Sequence, residues 1–306
     1  MPQSTPAKAF VIGEALIDAV HSTDGHIQEL PGGSPANVAI TLSRQGADAT
    51  LLTWLAQDAR GSKIAQWLTD SGVTVHPGSW GAQGTSVATA QLQDDGSAQY
   101  EFDIEWDLLP VCVEPSANVV HTGSIAATLT PGGPKVKDLL ASAREFATIT
   151  YDPNMRPSLM GSPAQVREQV NDYVELSDVV KVSDEDLEWL HPEVTFEKVA
   201  EEWLAQGPSL VVVTRGGNGA TCYFPRGKVT IASPKVSVAD TVGAGDSFMG
   251  TLIFQLGARG YLGKSGRVEL NLIDSATVEE ILLQCAKVAA ITVSRAGANP
   301  PWSTEL

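Results

Sequence analysis

A chain of 306 residues is long enough to bury a substantial core, as one large α/β domain or a domain with a small appendage. Its formal net charge of −16 argues against nucleic acid and anionic membranes as partners, because it offers no basic stripe to phosphate groups. No signal-peptide or membrane-spanning pattern is present, and the three scattered cysteines (Cys112, Cys222 and Cys285) indicate neither disulfides nor zinc, so we expect a cytoplasmic protein.

Short β-rich runs alternate with amphipathic helical patterns along most of the chain. The predicted strands cover residues 9–12, 49–55, 118–121, 147–151, 178–182 and 210–214. The predicted helices cover residues 34–45, 58–71, 134–146, 163–176 and 196–206. This alternation predicts an α/β fold with a mostly parallel central sheet, helices on both faces, and ligands at the carboxyl ends of the strands.

A carboxylate follows the first predicted strand. Gly13 and Glu14 lead to Asp18, which is placed to accept hydrogen bonds from two neighbouring hydroxyls of a sugar. A solvated turn aspartate is the alternative interpretation of Asp18.

A glycine pair precedes the first predicted helix. Gly32 and Gly33 are followed by Ser34, which we predict to be the N-cap, and by Pro35 at the first helical position. Capping explains Ser34 and Pro35 but not the two glycines or Asn37. We therefore expect the amide of Asn37 to reach a ligand from the first helical turn.

The region from 86 to 107 interrupts the α/β alternation. Residues 86–93 form a strand candidate, and apolar residues alternate with acidic ones from 100 to 107. Between them, Asp94-Asp95-Gly96-Ser97 is a hairpin turn signal. We expect an antiparallel hairpin that covers the substrate, and its apolar face offers a surface for a second subunit. The alternative interpretation is a hairpin at an edge of the fold that takes no part in binding the substrate.

Two further loops follow predicted strands. Residues 152–157 bring Arg156 to a strand end, where it could hold an anion, although the two prolines also suit a simple turn. Residues 214–219 form a glycine-rich loop directly after the run 210–213. Such a loop lets the backbone approach the phosphates or the adenine of a nucleotide.

Residues 240–248 carry the most informative motif. A Gly-Ala-Gly turn leads from Asp240 into an apolar helix, where successive N–H groups and the helix dipole favour an anion such as a phosphoryl group. Asp246 lies in the first turn of that helix. A carboxylate beside a phosphate site suggests a base that takes a proton from an attacking hydroxyl. A plain glycine turn with a capping aspartate is the alternative.

Residues 258–265 fit a relaxed P-loop pattern, with Ala258 in place of the first glycine and Lys264 as the phosphate-binding lysine. A true P-loop joins a strand to a helix, whereas this segment follows a predicted helix. A P-loop NTPase is therefore kept only as an alternative.

Taken together, these segments resemble the PfkB (ribokinase-like) family of carbohydrate kinases. Residues 32–37 resemble its first signature and residues 240–246 its second, in a correspondence that runs from Gly13 to Pro300. Within the family, residues 13–18, 32–37, 151–157, 181–183 and 295–300 are most similar to the fructokinases. The resemblance implies a three-layer α/β/α ribokinase-like fold in a single domain, residues 1–306, with a β lid from segments near 14–33 and 85–107.

The resemblance also implies roles for individual residues. Asp246 would be the catalytic base, and the amides of Gly243, Ala244 and Gly245 would form the anion hole. The sugar would be held by Asp18, Gly32, Gly33, Asn37 and Arg156. The nucleotide, ATP, would be held by Lys181, Ser183, Thr214, Gly216, Gly217, Gly219 and Asn299. Mg²⁺ would lie near Asp186, and a monovalent cation such as K⁺ would lie near Asp240 and Val242. Two subunits would pair through their lids.

Two departures from the family pattern are apparent. Many relatives carry Asn-x-x-Glu near the metal and phosphates, whereas residues 183–186 read Ser-Asp-Glu-Asp here. Val242 replaces a threonine that is common in the second signature. The first departure bears on which acidic residue assists Mg²⁺ and not on the activity.

The composition of residues 1–110 bears on the substrate. Their only basic residues are Lys8, Arg44, Arg60 and Lys63, which favours a neutral sugar over a sugar phosphate. We expect an ATP-dependent kinase for fructose, acting at the 6-hydroxyl. Ribose and 2-keto-3-deoxygluconate are alternative substrates, and a nucleoside stacked on Trp80 or Trp106 is a secondary one. A non-catalytic sugar-binding regulator on the same fold is the alternative from another class.

Overall fold

A computed structural model describes residues 7–22, 24–92 and 98–306. The strands are β1 (Lys8–Ile12), β2 (Leu16–His21), β3 (Ile27–Gly32), β4 (Asp48–Leu52), β5 (Thr74–Val75), β6 (Val87–Leu92), β7 (Ala98–Asp103), β8 (Val119–Gly123), β9 (Thr148–Asp152), β10 (Val179–Ser183), β11 (Leu210–Thr214), β12 (Ala220–Phe224) and β13 (Gly227–Ile231). The helices are α1 (Ser34–Arg44), α2 (Ala59–Asp70), α3 (Gly132–Ala143), α4 (Pro157–Met160), α5 (Pro163–Leu176), α6 (Asp184–Leu190), α7 (Phe196–Gln206), α8 (Ala244–Ala258), α9 (Gly263–Leu270) and α10 (Ser275–Val293).

The central sheet has the strand order β13-β12-β11-β10-β9-β8-β1-β4-β5. The strands from β11 to β5 run parallel, while β12 and β13 add an antiparallel edge. All six predicted strands and all five predicted helices are present, within a few residues of their predicted bounds. The antiparallel edge, β5 and the helices α4, α6, α9 and α10 were not among the predicted elements.

Helices cover both faces of this sheet and form two separate cores. On one face α1, α8 and α10 pack against residues such as Val11, Leu51 and Val212. On the other face α3, α5 and α7 pack against residues such as Ile12 and Val180. Neighbouring side chains along a strand point to opposite faces, so the continuous apolar runs of β1 and β11 fill both cores. The predicted three-layer α/β/α architecture is confirmed.

A second, smaller sheet has the strand order β3-β2-β6-β7. Its strands come from the two segments for which a β lid is predicted, and β6 and β7 form the predicted antiparallel pair. The predicted turn at residues 94–97 lies outside the described residues. In register, Leu30, Asp18, Ala88 and Phe102 share one face of this sheet. Within the described residues, no helix is both long and apolar enough to cross a membrane.

Candidate active site

The carboxylate of Asp246 is buried in the first turn of α8, and side chains from two other segments hold it. Its Oδ1 accepts hydrogen bonds from the hydroxyl of Ser34 at 2.7 Å and from Nδ2 of Asn154 at 3.3 Å. Its Oδ2 accepts one from Nδ2 of Asn37 at 2.8 Å. The structure therefore brings the start of α1, the loop after β9 and the start of α8 together at one acidic group.

The prediction that Ser34 caps α1 is wrong. The helix begins at Ser34 itself, the N-cap position is Gly33 with φ of 116°, and no side chain caps this end. The hydroxyl of Ser34 is instead directed at Asp246, on a different helix. Glycine is required at position 33, because a Cβ there would also lie 2.4 Å from the carbonyl oxygen of Glu14.

The start of α8 is shaped for close approach. Gly243 adopts φ of 76°, and a Cβ on it would lie 2.5 Å from the Cβ of Ala298. A Cβ on Gly245 would lie 2.9 Å from Nζ of Lys181. The N–H of Ala244 makes a long hydrogen bond of 3.3 Å to the carbonyl of Thr241. The helix start and a lysine ammonium thus face the same small volume, which is an arrangement suited to an anion.

Lys181 belongs to a buried ion pair that the sequence analysis did not identify. Its Nζ lies 2.9 Å from Oδ2 of Asp152, and the side chains are 3% and 0% exposed. Burial opposes the charge of Lys181, but nearby carboxylates, Asp152 first, outweigh it and raise the pKa of the lysine. For Asp152, burial is the main influence and raises the pKa to about 7, although the charge of Lys181 acts to lower it. We conclude that Lys181 stays positively charged at the start of α8.

A second missed carboxyl group, Glu14, lies in the loop after β1. It is 6% exposed, and its Oε2 has no hydrogen-bond partner in the described part of the chain. Burial is the main cause that raises the pKa of Glu14 to about 7, while Ser124 and Arg156 lower it and Asp246 raises it further. Asp18, on β2, is solvent-accessible, and a Cβ on Gly32 would lie 2.1 Å from its Oδ2.

The predicted nucleotide loop is open. In residues 214–219, Gly216 and Gly217 are exposed, and a Cβ on either would meet nothing within 4 Å. Gly219 is buried, with φ of 92°, and a Cβ there would lie 2.0 Å from the carbonyl oxygen of Ile231. The loop therefore combines one glycine required by the fold with two that leave free space.

Asp240 ties the second signature to the carboxyl-terminal segment. Its Oδ1 accepts from the N–H of Val242 at 3.0 Å and its Oδ2 from the N–H of Gly297 at 2.9 Å. The N–H of Val242 is the main cause that lowers the pKa of Asp240, so the group stays ionised. The predicted ATP ligand Asn299 has its side-chain oxygen engaged by Nη1 of Arg44 at 2.6 Å.

The predicted metal residue Asp186 has a structural contact on each carboxylate oxygen. Oδ1 accepts from the N–H of Met155 at 2.8 Å, and Oδ2 accepts from the N–H of Ser183 at 3.2 Å. The hydroxyl of Ser183 in turn accepts from the N–H of Asp186, which completes a capping box at the start of α6. In the described residues, no group of three or more His, Cys, Asp or Glu side chains is arranged to hold a metal ion by itself.

The structure bears on two of the alternatives. The P-loop-like segment joins α8 to α9, and the N–H of Lys264 is bonded to the carbonyl of Phe146, so the strand-to-helix geometry is missing. Trp106, a proposed stacking partner for a nucleoside, is buried in the core with its Nε1 bonded to the carbonyl of Ala126. Trp80 is partly buried against the other core.

Comparison with known proteins identifies the family of the chain. A model of the pfkB family of carbohydrate kinases matches residues 6–305. The chain is 31% identical to probable fructokinase-3 of Arabidopsis thaliana, over 100% of this chain and 92% of that protein. It is 33% identical to the fructokinase of Rhizobium leguminosarum bv. trifolii, over 77% of this chain and 76% of that protein. The crystal structure of fructokinase with bound ATP from Xylella fastidiosa has a similar fold, with a TM-score of 0.82 at 24% identity over 95% of this chain and 94% of that chain.

The fold and the comparisons together define an ATP-dependent carbohydrate kinase with a ribokinase-like fold. The chain belongs to the pfkB family of carbohydrate kinases. The family resemblance seen in the sequence motifs is therefore confirmed.

Proposed function

We propose that this protein transfers the γ-phosphoryl group of ATP to the 6-hydroxyl of D-fructose, with Asp246 as the general base. The observation that carries the proposal is the buried carboxylate of Asp246 beside Gly243, Gly245 and the ammonium of Lys181. A proton acceptor and a group of positive charges and dipoles at one helix start are what phosphoryl transfer requires.

The proposed reaction is an in-line displacement. The 6-hydroxyl oxygen forms a bond to the γ-phosphorus while the bond from that phosphorus to the β,γ-bridging oxygen breaks. The hydroxyl proton passes to the carboxylate of Asp246, and ADP leaves. The amides of Gly243, Ala244 and Gly245, together with Lys181, face the negative charge that the transferred group carries.

The sugar would lie between the small sheet and α1. Asp18 is accessible there, and Gly32 leaves room for its carboxylate. Nδ2 of Asn37 donates to Asp246, while its Oδ1 is buried without a hydrogen-bond partner in the described part of the chain. A buried acceptor without a partner is costly, so a sugar hydroxyl that donates to this oxygen would be favoured.

The basic residues of the amino-terminal half support a neutral sugar. Arg60 pairs with Glu29, and Lys63 donates to the carbonyl of Glu29. Arg44 holds Asn299 and the carbonyl of Pro300. Lys8 begins β1, at the end of the strand opposite to Glu14. Three of these four residues are therefore already engaged by other groups, and Lys8 lies at the far end of β1 from Glu14.

One observation favours a second substrate, 2-keto-3-deoxygluconate. Arg156 is exposed and close enough to Asp18 and Glu14 to influence their charge. A guanidinium beside the sugar site suits the carboxylate of a sugar acid. Fructose has no such group, so a direct comparison of the two substrates decides between them.

On the nucleotide side, residues 214–219 would lie along ATP, with Lys181 at its γ-phosphate and Ser183 nearby. Mg²⁺ keeps several waters and binds through one or two carboxylates plus the substrate's phosphates, so a full set of protein ligands is not needed. Asp186, with lone pairs left on both oxygens, fits that role. Bound Mg²⁺ would neutralise phosphate charge. A monovalent cation would lie near Asp240 and the backbone of Val242.

The small sheet would act as a lid over the sugar. Leu30 and Tyr100 lie on the same face as Asp18 and are exposed, at 47% and 64%. An apolar face of this kind would close over the sugar and also offer a contact for a second copy of the chain. We also propose that residues 1–306 form one domain, that two copies pair through their lids, and that the protein is cytoplasmic.

The test is an ADP-release assay with MgATP and each of fructose, ribose, 2-keto-3-deoxygluconate, adenosine and fructose 6-phosphate, with and without KCl. We expect the highest kcat/KM with fructose, and 6-phosphorylation is checked by NMR of the product. Preference for 2-keto-3-deoxygluconate would correct the substrate, and loss of that preference in Arg156→Ala would assign it to the guanidinium. Sugar binding without ADP release would show a non-catalytic regulator.

A further inference from the structure

A line of hydrogen bonds runs from a solvent-exposed arginine to the buried Asp246. Nη1 of Arg156 lies 2.8 Å from Oδ1 of Asn154. Nδ2 of Asn154 lies 2.7 Å from Oγ of Ser34, and that Oγ lies 2.7 Å from Oδ1 of Asp246. The four residues come from the loop after β9 and from the starts of α1 and α8.

The direction of each hydrogen bond in this line is determined by chemistry. A guanidinium only donates, so Oδ1 of Asn154 must be the acceptor. The amide NH₂ of Asn154 then faces Ser34, whose oxygen accepts from it. The hydroxyl hydrogen of Ser34 is left to point at the carboxylate of Asp246. A cation at one end and an anion at the other polarise every bond between them in the same sense.

The loop after β9 is held in a shape that serves this line. Asn154 has φ of 38°, which few residues other than glycine adopt and which asparagine tolerates. Nη1 of Arg156 also lies within 3.1 Å and 2.9 Å of the carbonyl oxygens of Asn154 and Met155. The carboxylate of Asp186 accepts a hydrogen bond from the N–H of Met155 in the same loop. These contacts hold the loop in a conformation in which the side-chain amide of Asn154 points at Ser34.

We propose that Ser34, Asn154 and Arg156 are positioning residues for Asp246, and this inference rests on the proposed role of Asp246 as the base. An ionised carboxylate has about four acceptor positions. Ser34 and Asn154 occupy both positions on Oδ1, and Asn37 occupies one on Oδ2. The remaining position is on Oδ2, so this oxygen takes the proton from the sugar hydroxyl.

Other charged groups also act on Asp246 and set the background for any pH measurement. Glu14, from the loop after β1, and Asp152, at the end of β9, are carboxyl groups that interact with it. Lys181, on β10, is the facing cation. Removing the hydroxyl of Ser34 leaves these three side chains in place and adds no charge, so a change in the pH profile then reports on the line itself.

The test compares Ser34→Ala and Asn154→Asp with the wild-type protein. The first removes the hydroxyl. The second keeps the shape and tolerates the positive φ, but it cannot donate to Ser34 and adds a negative charge near Asp246. Ser43→Ala is the control, because it removes a hydroxyl from the same helix at a position away from Asp246. The measurements are kcat, both KM values and the pH dependence of kcat.

We expect both variants to lower kcat by about tenfold to a hundredfold, since hydrogen bonds to charged groups contribute this much. Both KM values should stay within about threefold, because neither Ser34 nor Asn154 contacts a substrate in this proposal. The acid limb of the kcat profile of Ser34→Ala should move to higher pH, since a carboxylate that loses a donor is protonated more readily. Ser43→Ala should behave like the wild type.

Three results would overturn the inference. These are kcat within twofold of wild type in both variants, a raised sugar KM with unchanged kcat, or a lower kcat with an unmoved acid limb. The variant Asp246→Asn distinguishes a failure of this inference from a failure of the proposed function. Wild-type turnover in Asp246→Asn refutes Asp246 as the base, whereas an inactive Asp246→Asn with an unmoved acid limb in Ser34→Ala refutes only the positioning line.

Discussion

The two sides of the proposed site differ in whether side chains or backbone shape them. Around Asp246, the side chains of Ser34, Asn37 and Asn154 already hydrogen-bond to the carboxylate. Around the predicted nucleotide loop, Gly216 and Gly217 are exposed and have free space around them. The proposed sugar side is therefore fixed by side chains of the protein, while the proposed nucleotide side is shaped by its backbone and has open space around it.

This difference is consistent with the chemistry that each side is proposed to perform. A base must be held in one direction relative to the reacting hydroxyl, because small displacements reduce the rate strongly. A nucleotide brings its own charge and surface, so an accessible loop of glycines is sufficient to receive it. The predictions below test whether the two sides respond to substitution as differently as they are built.

Lys181→Met should have the largest effect on stability. It leaves Asp152, which is fully buried, without its partner. We expect the free energy of unfolding, measured in urea at pH 8, to fall by about 3 to 5 kcal/mol. We also expect kcat to fall by about a hundredfold, because the ammonium is proposed to face the transferred phosphoryl group.

The double variant Lys181→Met/Asp152→Leu separates the two effects. Two apolar side chains can replace a buried ion pair with little loss, so most of the stability should return. The activity should not return. Recovery of both properties together would show that Lys181 matters for folding alone.

A matched pair of glycine substitutions tests the open side. Gly219→Ala places a methyl group 2.0 Å from a carbonyl oxygen at φ of 92°, and we expect a loss of about 2 to 3 kcal/mol in unfolding free energy. Gly217→Ala meets nothing within 4 Å and should leave stability within about 0.5 kcal/mol. It should instead raise the KM for ATP severalfold. An unchanged KM for ATP in Gly217→Ala would place the nucleotide elsewhere.

Glu14→Gln tests the buried carboxyl group of Glu14 through the pH dependence of the free energy of unfolding. Because burial raises the pKa of Glu14 to about 7, the folded protein binds a proton there that the unfolded chain releases at lower pH. The stability from this protonated group is complete below the unfolded pKa and is lost as the pH rises through about 7. Glutamine stays neutral, so the variant should gain about 2 to 3 kcal/mol over the wild type at pH 8 and much less at pH 5. An equal difference at both pH values in urea unfolding would contradict the assignment.

Much of the fold could be predicted from the sequence, because apolar runs such as 210–213 and the helical pattern at 196–206 are long and regular. The strands β12 and β13 were not predicted, since polar residues interrupt the apolar pattern of both. Asp246 was predicted to be the base from its place at a helix start, and the structure adds the side chains that hold it.

The missed contacts were those between residues that lie far apart in the chain. Ser34 suits a cap equally well by its type, and only the packing of α1 on α8 directs its hydroxyl to Asp246. Lys181 and Asp152 are neighbours only because β9 and β10 pair in parallel. A lysine inside the apolar run 179–182 was the available signal for that pair. Asn154 was obscured by the prolines around it, which already explained the loop as a turn.

The most direct test of the proposed mechanism is Asp246→Asn, with turnover measured by ADP release and fructose binding measured by calorimetry. The substitution keeps the size of the side chain and removes its capacity to take a proton. We expect kcat to fall by about a thousandfold or more, while the Kd for fructose stays within about threefold. Turnover within tenfold of the wild type would contradict the assignment of Asp246 as the base.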